Sequence, residues 1–155
     1  MTVLAPHTAI RRVAIAVAGL LVAALAPAPA AMAQSTANPQ LVLTGVEHYQ
    51  AGGAPFTRYR FDVANKDQFP PAMFAPAPDL PPCGRNTNAS RSWVDIFDQF
   101  GKRLYGFCAL GTPQDLGTIW FALPEGAAPP SWVYIVINDR RTDRKYKSNL
   151  AETAM

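Results

Sequence analysis

Residues 92–109, Ser-Trp-Val-Asp-Ile-Phe-Asp-Gln-Phe-Gly-Lys-Arg-Leu-Tyr-Gly-Phe-Cys-Ala, constrain the fold more than any other stretch. Two alternating runs flank Asp98-Gln99-Phe100-Gly101-Lys102, and Gly101 suits the positive φ of a bulged hairpin turn. With Gln99, Phe100 and Gly101 as the loop, the expected register sets Phe97 against Arg103, Ile96 against Leu104, Asp95 against Tyr105 and Trp93 against Phe107. One face is then Val94, Ile96, Leu104, Gly106 and Cys108, and the other is Trp93, Asp95, Phe97, Arg103, Tyr105 and Phe107. Burying Asp95 and Arg103 costs more than exposing Val94 and Ile96, so the aliphatic face is expected inside. This hairpin speaks to fold and compartment, and neither it nor any other motif in the chain specifies a function.

The first 33 residues read as a secretory signal peptide. Arg11 and Arg12 form a positive start, Val13 to Ala26 is an apolar run, and Ala31-Met32-Ala33 is a cleavage pattern before Gln34. The apolar run falls short of the roughly 20 residues a membrane span requires. No cysteine precedes Cys83, which excludes a lipid anchor on a mature N-terminal cysteine. The expected destination is the periplasm or the exterior, with no transmembrane segment left after cleavage. Residues 34–39 form a polar lead-in, 40–150 a single domain, and 151–155 a tail without a structural signal. Once Arg11 and Arg12 leave, 12 of the 14 Lys+Arg remain against 11 Asp+Glu. That near-neutral balance argues against general nucleic-acid affinity. Cys83 and Cys108 both lie in the exported part, and an even count in an oxidising compartment reads as one disulfide.

Along the domain, Leu41–Tyr49 is an expected strand with a bulge or bend at Gly45. Phe56–Val63 alternates, with Thr57, Tyr59, Phe61 and Val63 on one face and Arg58, Arg60 and Asp62 on the other. Six prolines between Pro70 and Pro82 break regular structure, and Phe69, Met73, Phe74 and Leu80 make the segment too apolar for a free linker. It reads as an extended, polyproline-like strap pinned at Cys83. Cys83–Arg91 is a polar loop, and its Asn88-Ala89-Ser90 sequon reads as an ordinary turn. Thr118–Leu123 and Trp132–Asn138 are further strands, the latter with Val133, Ile135 and Ile137 on one side. Asp139–Asp143 is a tight turn into a last short strand, Arg144–Ser148. The sum is all-β: a seven-stranded antiparallel sandwich with a Pro-rich strap and one disulfide.

The run Leu123-Pro124-Glu125-Gly126, then Val133-Tyr134-Ile135-Val136-Ile137, a polar turn and a short final strand resembles the end of a fibronectin type III domain. Strand count and order over roughly residues 40–150 are compatible with that family or another immunoglobulin-like sandwich. The Pro-rich insertion and the cysteine pair depart from its pattern. Cys83–Leu110 also resembles segments of uncharacterised bacterial secreted proteins. The resemblance implies a scaffold for binding and no particular activity.

Catalytic, cofactor and metal chemistry find little support. No nucleophile elbow, zinc helix motif or phosphate loop occurs, and His48 is the only histidine after the leader. Asp139 and Asp143 with Asn138 suggest a calcium corner, which four cationic residues between Arg140 and Lys145 oppose. Two candidate surfaces remain. The first is the ring face of Trp93, Asp95, Phe97, Arg103, Tyr105 and Phe107, with Asp95 in ion-pair reach of Arg103. Either the strap covers these rings or they form an open face for a sugar or a partner protein. The second is the basic hairpin Arg140, Arg141, Arg144, Lys145 and Lys147, which suits an acidic envelope component or is a solvated edge guarded by charge. The expected function is a secreted, non-catalytic module that binds an envelope glycan or protein partner. The alternative is a small exported hydrolase inhibitor presenting the Cys83–Arg91 loop.

Overall fold

The computed structural model describes residues 38–82, 90–108 and 110–154. The expected signal peptide, the first part of the lead-in, Cys83 and the sequon's Asn88 and Ala89 lie outside the described residues. Among the described residues eight strands follow one another: β1 (Leu41–Ala51), β2 (Ala54–Val63), β3 (Ser92–Asp98), β4 (Arg103–Phe107), β5 (Ile119–Pro124), β6 (Trp132–Asp139), β7 (Arg144–Lys147) and β8 (Ala151–Glu152). Among the described residues the only helical elements are three short 3-10 turns. No described helix is long and apolar enough to cross a membrane.

Every strand pairing is antiparallel. One sheet has the order β1-β2-β5, and the other β4-β3-β6-β7, with β8 also pairing β6. The alternation of β2 and β6 sets what faces inward. Tyr59, Phe61 and Val63 from β2 meet Val133, Ile135 and Ile137 from β6 in one core, with Leu41, Val94, Ile96, Ile119 and Phe121. This is a two-sheet β-sandwich. Tyr59 and Phe61 each stack on Phe121 across β2 and β5. The β1–β2 turn takes positive φ at Gly52 (59°) and Gly53 (80°), the geometry of a type I′ hairpin. The register shifts between Leu43 and Gly45, where a bend was expected.

The strap departs from a uniformly extended path. Lys66–Gln68 and Pro71–Met73 form 3-10 turns, and Pro71 opens its turn at a position whose N–H would be unpaired in any case. Phe69, Met73 and Phe74 then enter the core, Phe69 edge-on to Tyr146. Pro76 forms a single bridge with Ser90, and the chain then turns again, the Leu80 amide donating to the Ala77 carbonyl at 3.0 Å.

The tail, expected to carry no structure, is instead a closing strand. Ala151 and Thr153 are buried, and Val133 pairs Ala151. Asn149 carries no apolar signal, yet it holds this end against the other sheet. Its Oδ1 accepts from the Leu41 amide at 2.7 Å and its Nδ2 donates to the Leu41 carbonyl at 3.0 Å.

Candidate functional site

The hairpin at the centre of the sequence forms as expected at its tip and differs above it. Phe97 pairs Arg103, but a shift between Ile96 and Phe97 then sets Ile96 against Tyr105, Asp95 against Gly106 and Val94 against Phe107. The expected pairs Ile96–Leu104, Asp95–Tyr105 and Trp93–Phe107 are therefore corrected by one residue. A β-bulge inserts one unpaired residue, and a slip of one exchanges the faces beyond it. Gly106, expected inside, lies beneath the Asp95–Arg103 pair. A Cβ there would fall 2.1 Å from Arg103 Nη2 and 2.8 Å from Asp95 Oδ1.

The six-residue ring face consequently divides. Trp93, Asp95, Phe97 and Arg103 stay on the outer face of the larger sheet. Arg103 Nε donates to Asp95 Oδ1 at 2.6 Å, and Asn138 Nδ2 donates to Asp95 Oδ2 at 3.1 Å. Tyr105 and Phe107 instead meet Trp120 of β5, Tyr105 stacked at 5.1 Å between centroids and Phe107 edge-on at 6.0 Å. Phe107 also packs against the core. Arg58 continues that second cluster, lying 4.7 Å from the Trp120 ring centre and 4.2 Å from that of Tyr49, while its Nη1 donates to Glu47 at 2.9 Å. The rings of this edge bind the two sheets together around a cation.

Strand order brings together what the sequence left apart. Because β6 separates β3 from β7, its outward residues join the ring face to the basic hairpin. Phe97 lies opposite Tyr134; Asp95 opposite Val136, which faces Lys147; and Trp93 opposite Asn138, which faces Lys145. Phe97 stacks on Tyr134 at 5.3 Å, and Lys147 Nζ sits 4.0 Å from the centre of the Tyr134 ring. The row Phe97–Tyr134–Lys147 turns ring faces toward one another and leaves edges and cations for solvent. Glu152 lies opposite Trp132 at the far end of the same face. Tyr134 escaped the sequence reading because its role needs β6 beside β3. Its outward parity was already implied by inward Val133 and Ile135.

The basic hairpin is not one surface. Lys145 and Lys147 belong to the outer face, whereas Arg140 and Arg141 turn to the strap. Arg140 donates to the Ser90 carbonyl at 2.8 Å and to the Pro81 carbonyl, with its guanidinium 5.4 Å from the Trp93 ring centre. Arg141 Nη2 reaches Asp79 Oδ1 at 2.8 Å. Arg144 is exposed beside the turn, where Asp143 takes φ 56°. Phe69, Met73 and Phe74 of the strap go into the core, and Arg140 links the Trp93 ring to the strap at the Pro81 carbonyl.

Asp139, weighed as a calcium-corner residue and set aside on charge, is buried and held by Arg91. Arg91 Nε and Nη2 donate to its two oxygens at 2.8 and 2.6 Å, joined by the Arg141 amide and the Thr142 hydroxyl. Burial pushes the Asp139 carboxyl up. The hydrogen bonds from Arg91, Thr142 and the Arg141 amide, with the Arg91 charge, outweigh it and hold the pKa down at about 2. The same hydrogen bond raises the Arg91 pKa against the opposing effect of burial. Arg91 Nη1 also donates to the Ala72 carbonyl at 3.0 Å, and the Ser92 hydroxyl to the Met73 carbonyl at 2.6 Å. This cluster is a latch for the strap.

His48 is exposed near Thr57 Oγ1 (3.2 Å) and Glu125 (3.7 Å). Both approach Nδ1, whereas a nucleophile–base relay uses the two ring nitrogens separately. Among the described residues no three His, Cys, Asp or Glu side chains are grouped to hold a metal. No protein-family model, curated protein or solved structure matches the chain.

Proposed function

We propose that this chain is an exported, non-catalytic immunoglobulin-like module, of the fibronectin type III kind, that binds an acidic component of the cell envelope. The observation that carries the reading is the shared outer face of β3, β6 and β7. There Trp93, Phe97 and Tyr134 stand among Arg103, Lys145 and Lys147, and the central acid, Asp95, is taken up by Arg103 and Asn138. Aromatic edges beside cations suit a polymer with carboxylates on a partly apolar backbone. The immunoglobulin-like assignment is supported by the arrangement of β1-β2-β5 against β4-β3-β6-β7. The chain changes sheets after β2, after β4 and after β5, as Greek-key sandwiches do. A Cys83–Cys108 bond belongs to the same proposal. It would close a loop of about 25 residues, worth about 3 kcal/mol in the chain-entropy account.

Affinity electrophoresis through polygalacturonate and through a neutral glucan tests the reading. The acidic polymer retards the chain, salt weakens the retardation, and Lys145→Glu with Lys147→Glu abolishes it. Equal migration in both gels, or retardation indifferent to the two reversals, overturns it. A second reading is an exported hydrolase inhibitor: its expected Cys83–Arg91 loop lies mostly outside the described residues, and the pinned Asp98–Lys102 tip is a described loop that suits the role. Its check is the inhibition of secreted glycosidases and proteases by the chain.

A further inference from the structure

Phe100 is the most exposed large apolar side chain among the described residues, at 86 %. The tip that carries it is held firmly. Asp98 Oδ1 accepts from the Phe100 and Lys102 amides at 2.9 Å each, and the Gly101 amide donates to the Asp98 carbonyl at 3.0 Å. Gln99 is bonded twice to the Trp132 backbone, its amide to the carbonyl at 3.0 Å and its Oε1 from the amide at 3.3 Å. Phe100 is thus presented outward at little further ordering cost, the property that makes an anchor effective in protein association.

The structure also holds a receptacle. Between β1 and β8 runs a groove of about 410 Å³ with Val42, Leu43, Trp132, Leu150, Ala151 and Glu152 in its lining. Val42, Trp132 and Leu150 are 43, 39 and 49 % exposed there. Asn149, bonded to Leu41, ties β1 to the β8 segment along this groove. The groove is shallow and open, a shape that takes one face of an aromatic ring rather than enclosing it. Phe100 does not fill the groove of its own chain, since it remains almost wholly exposed. Charge matches as well: exposed Lys102 is two residues from Phe100, and exposed Glu152 lines the groove.

We propose that this chain self-associates by inserting Phe100 of one copy into the β1–β8 groove of a second copy, with Lys102 facing Glu152. Gln99 and the groove both adjoin Trp132, so a two-fold axis near Trp132 permits both insertions at once and closes a dimer. A lipid surface is the poorer occupant, because one aromatic ring and one lysine fall short of the two signals that stable membrane anchoring requires.

Sedimentation of the full chain over a wide concentration range tests this. A monomer–dimer equilibrium is expected, and Phe100→Ser raises its Kd about 10- to 100-fold. Leu150→Glu has the same effect from the groove side. Lys102→Glu weakens the dimer, and adding Glu152→Lys restores it. Circular dichroism and the thermal midpoint serve as the control that Phe100→Ser, at an exposed tip, leaves the fold intact. A chain that stays monomeric throughout, or a dimer indifferent to Phe100→Ser, overturns the proposal. So does a monomer that cosediments with phosphatidylglycerol vesicles through Phe100, which would assign the anchor to lipid.

Discussion

Asn149 and Gly106 show how much of this sandwich rests on single side chains at positions without apolar patterning. Asn149 supplies both an acceptor and a donor to Leu41, so it acts as a strand residue turned sideways and closes one seam between the sheets. Asn149→Ala leaves a buried strand residue's amide and carbonyl without those partners. Its expected cost is about 1–3 kcal/mol, read as a lowered denaturant midpoint and as faster hydrogen exchange at the Leu41 amide. Asn149→Asp keeps the acceptor alone and falls between the two. Gly106→Ala behaves differently although the added Cβ would collide with Arg103 Nη2. The guanidinium ends a flexible side chain that is 59 % exposed and swings away, and the Asp95 carboxylate, 2.8 Å from the new Cβ and 15 % exposed, must give by a few tenths of an ångström. The Asp95–Arg103 pair is then lost while stability falls by less than about 1 kcal/mol. A thermal midpoint lowered as far as by Asn149→Ala would instead mean that the β4 backbone is forced to move.

At the scale of elements, the strap is governed by its latch more than by its prolines. Arg91 bridges Asp139 of β6 to the Ala72 carbonyl of the strap. Arg91→Ala leaves a buried carboxylate without its cation and is expected to cost about 3–5 kcal/mol, with new proteolytic cleavage between residues 69 and 82. Arg91→Lys keeps the charge and loses the two-pronged geometry, so its midpoint falls between the two. A strap equally resistant in all three proteins would place its stability in Phe69 and Phe74 alone. The same elements explain what the sequence made legible. Strict alternation in β2 and β6 showed both inward faces, because a period of two leaves no choice of side. The Asp98–Lys102 tip was legible from Gly101, and the Asp95–Arg103 pair from proximity across the turn. The bulge after Ile96 was not, since it depends on how β4 reaches β5, where Tyr105 and Phe107 find Trp120. Nor was β8, whose two residues become a strand only because β7 leaves the lower half of β6 unpaired. The joined face of rings and lysines required the order β3-β6-β7, a long-range fact that no local pattern holds.

For the molecule as a whole, the latch sets a limit at low pH. Asp139 is 2 % exposed, and its pKa falls from 3.8 to about 2 on folding. A carboxyl with a depressed folded pKa contributes its full stability above the unfolded value. That contribution is lost as pH falls through the folded one. The window therefore runs from about pH 4 down to about pH 2, and the contribution at stake is about 2 kcal/mol. Above pH 5 the wild-type protein should show no pH dependence from this group, and below pH 4 its denaturation midpoint should drop steadily. Asp139→Asn removes the titrating group and keeps one acceptor oxygen in place of the two that Arg91 grips. The variant starts less stable at neutral pH, having lost the charge–charge part of the latch, and its curve between pH 4 and pH 2 is flatter than the wild type's. Parallel curves for the two proteins across that window would show that other carboxylates control acid unfolding. Because the strap's Phe69, Met73 and Phe74 share the core with both sheets, loss of the latch is expected to unfold the sandwich in one step. Coincident far-ultraviolet and tryptophan transitions at pH 3 would confirm that, and an early tryptophan change would show the strap releasing first.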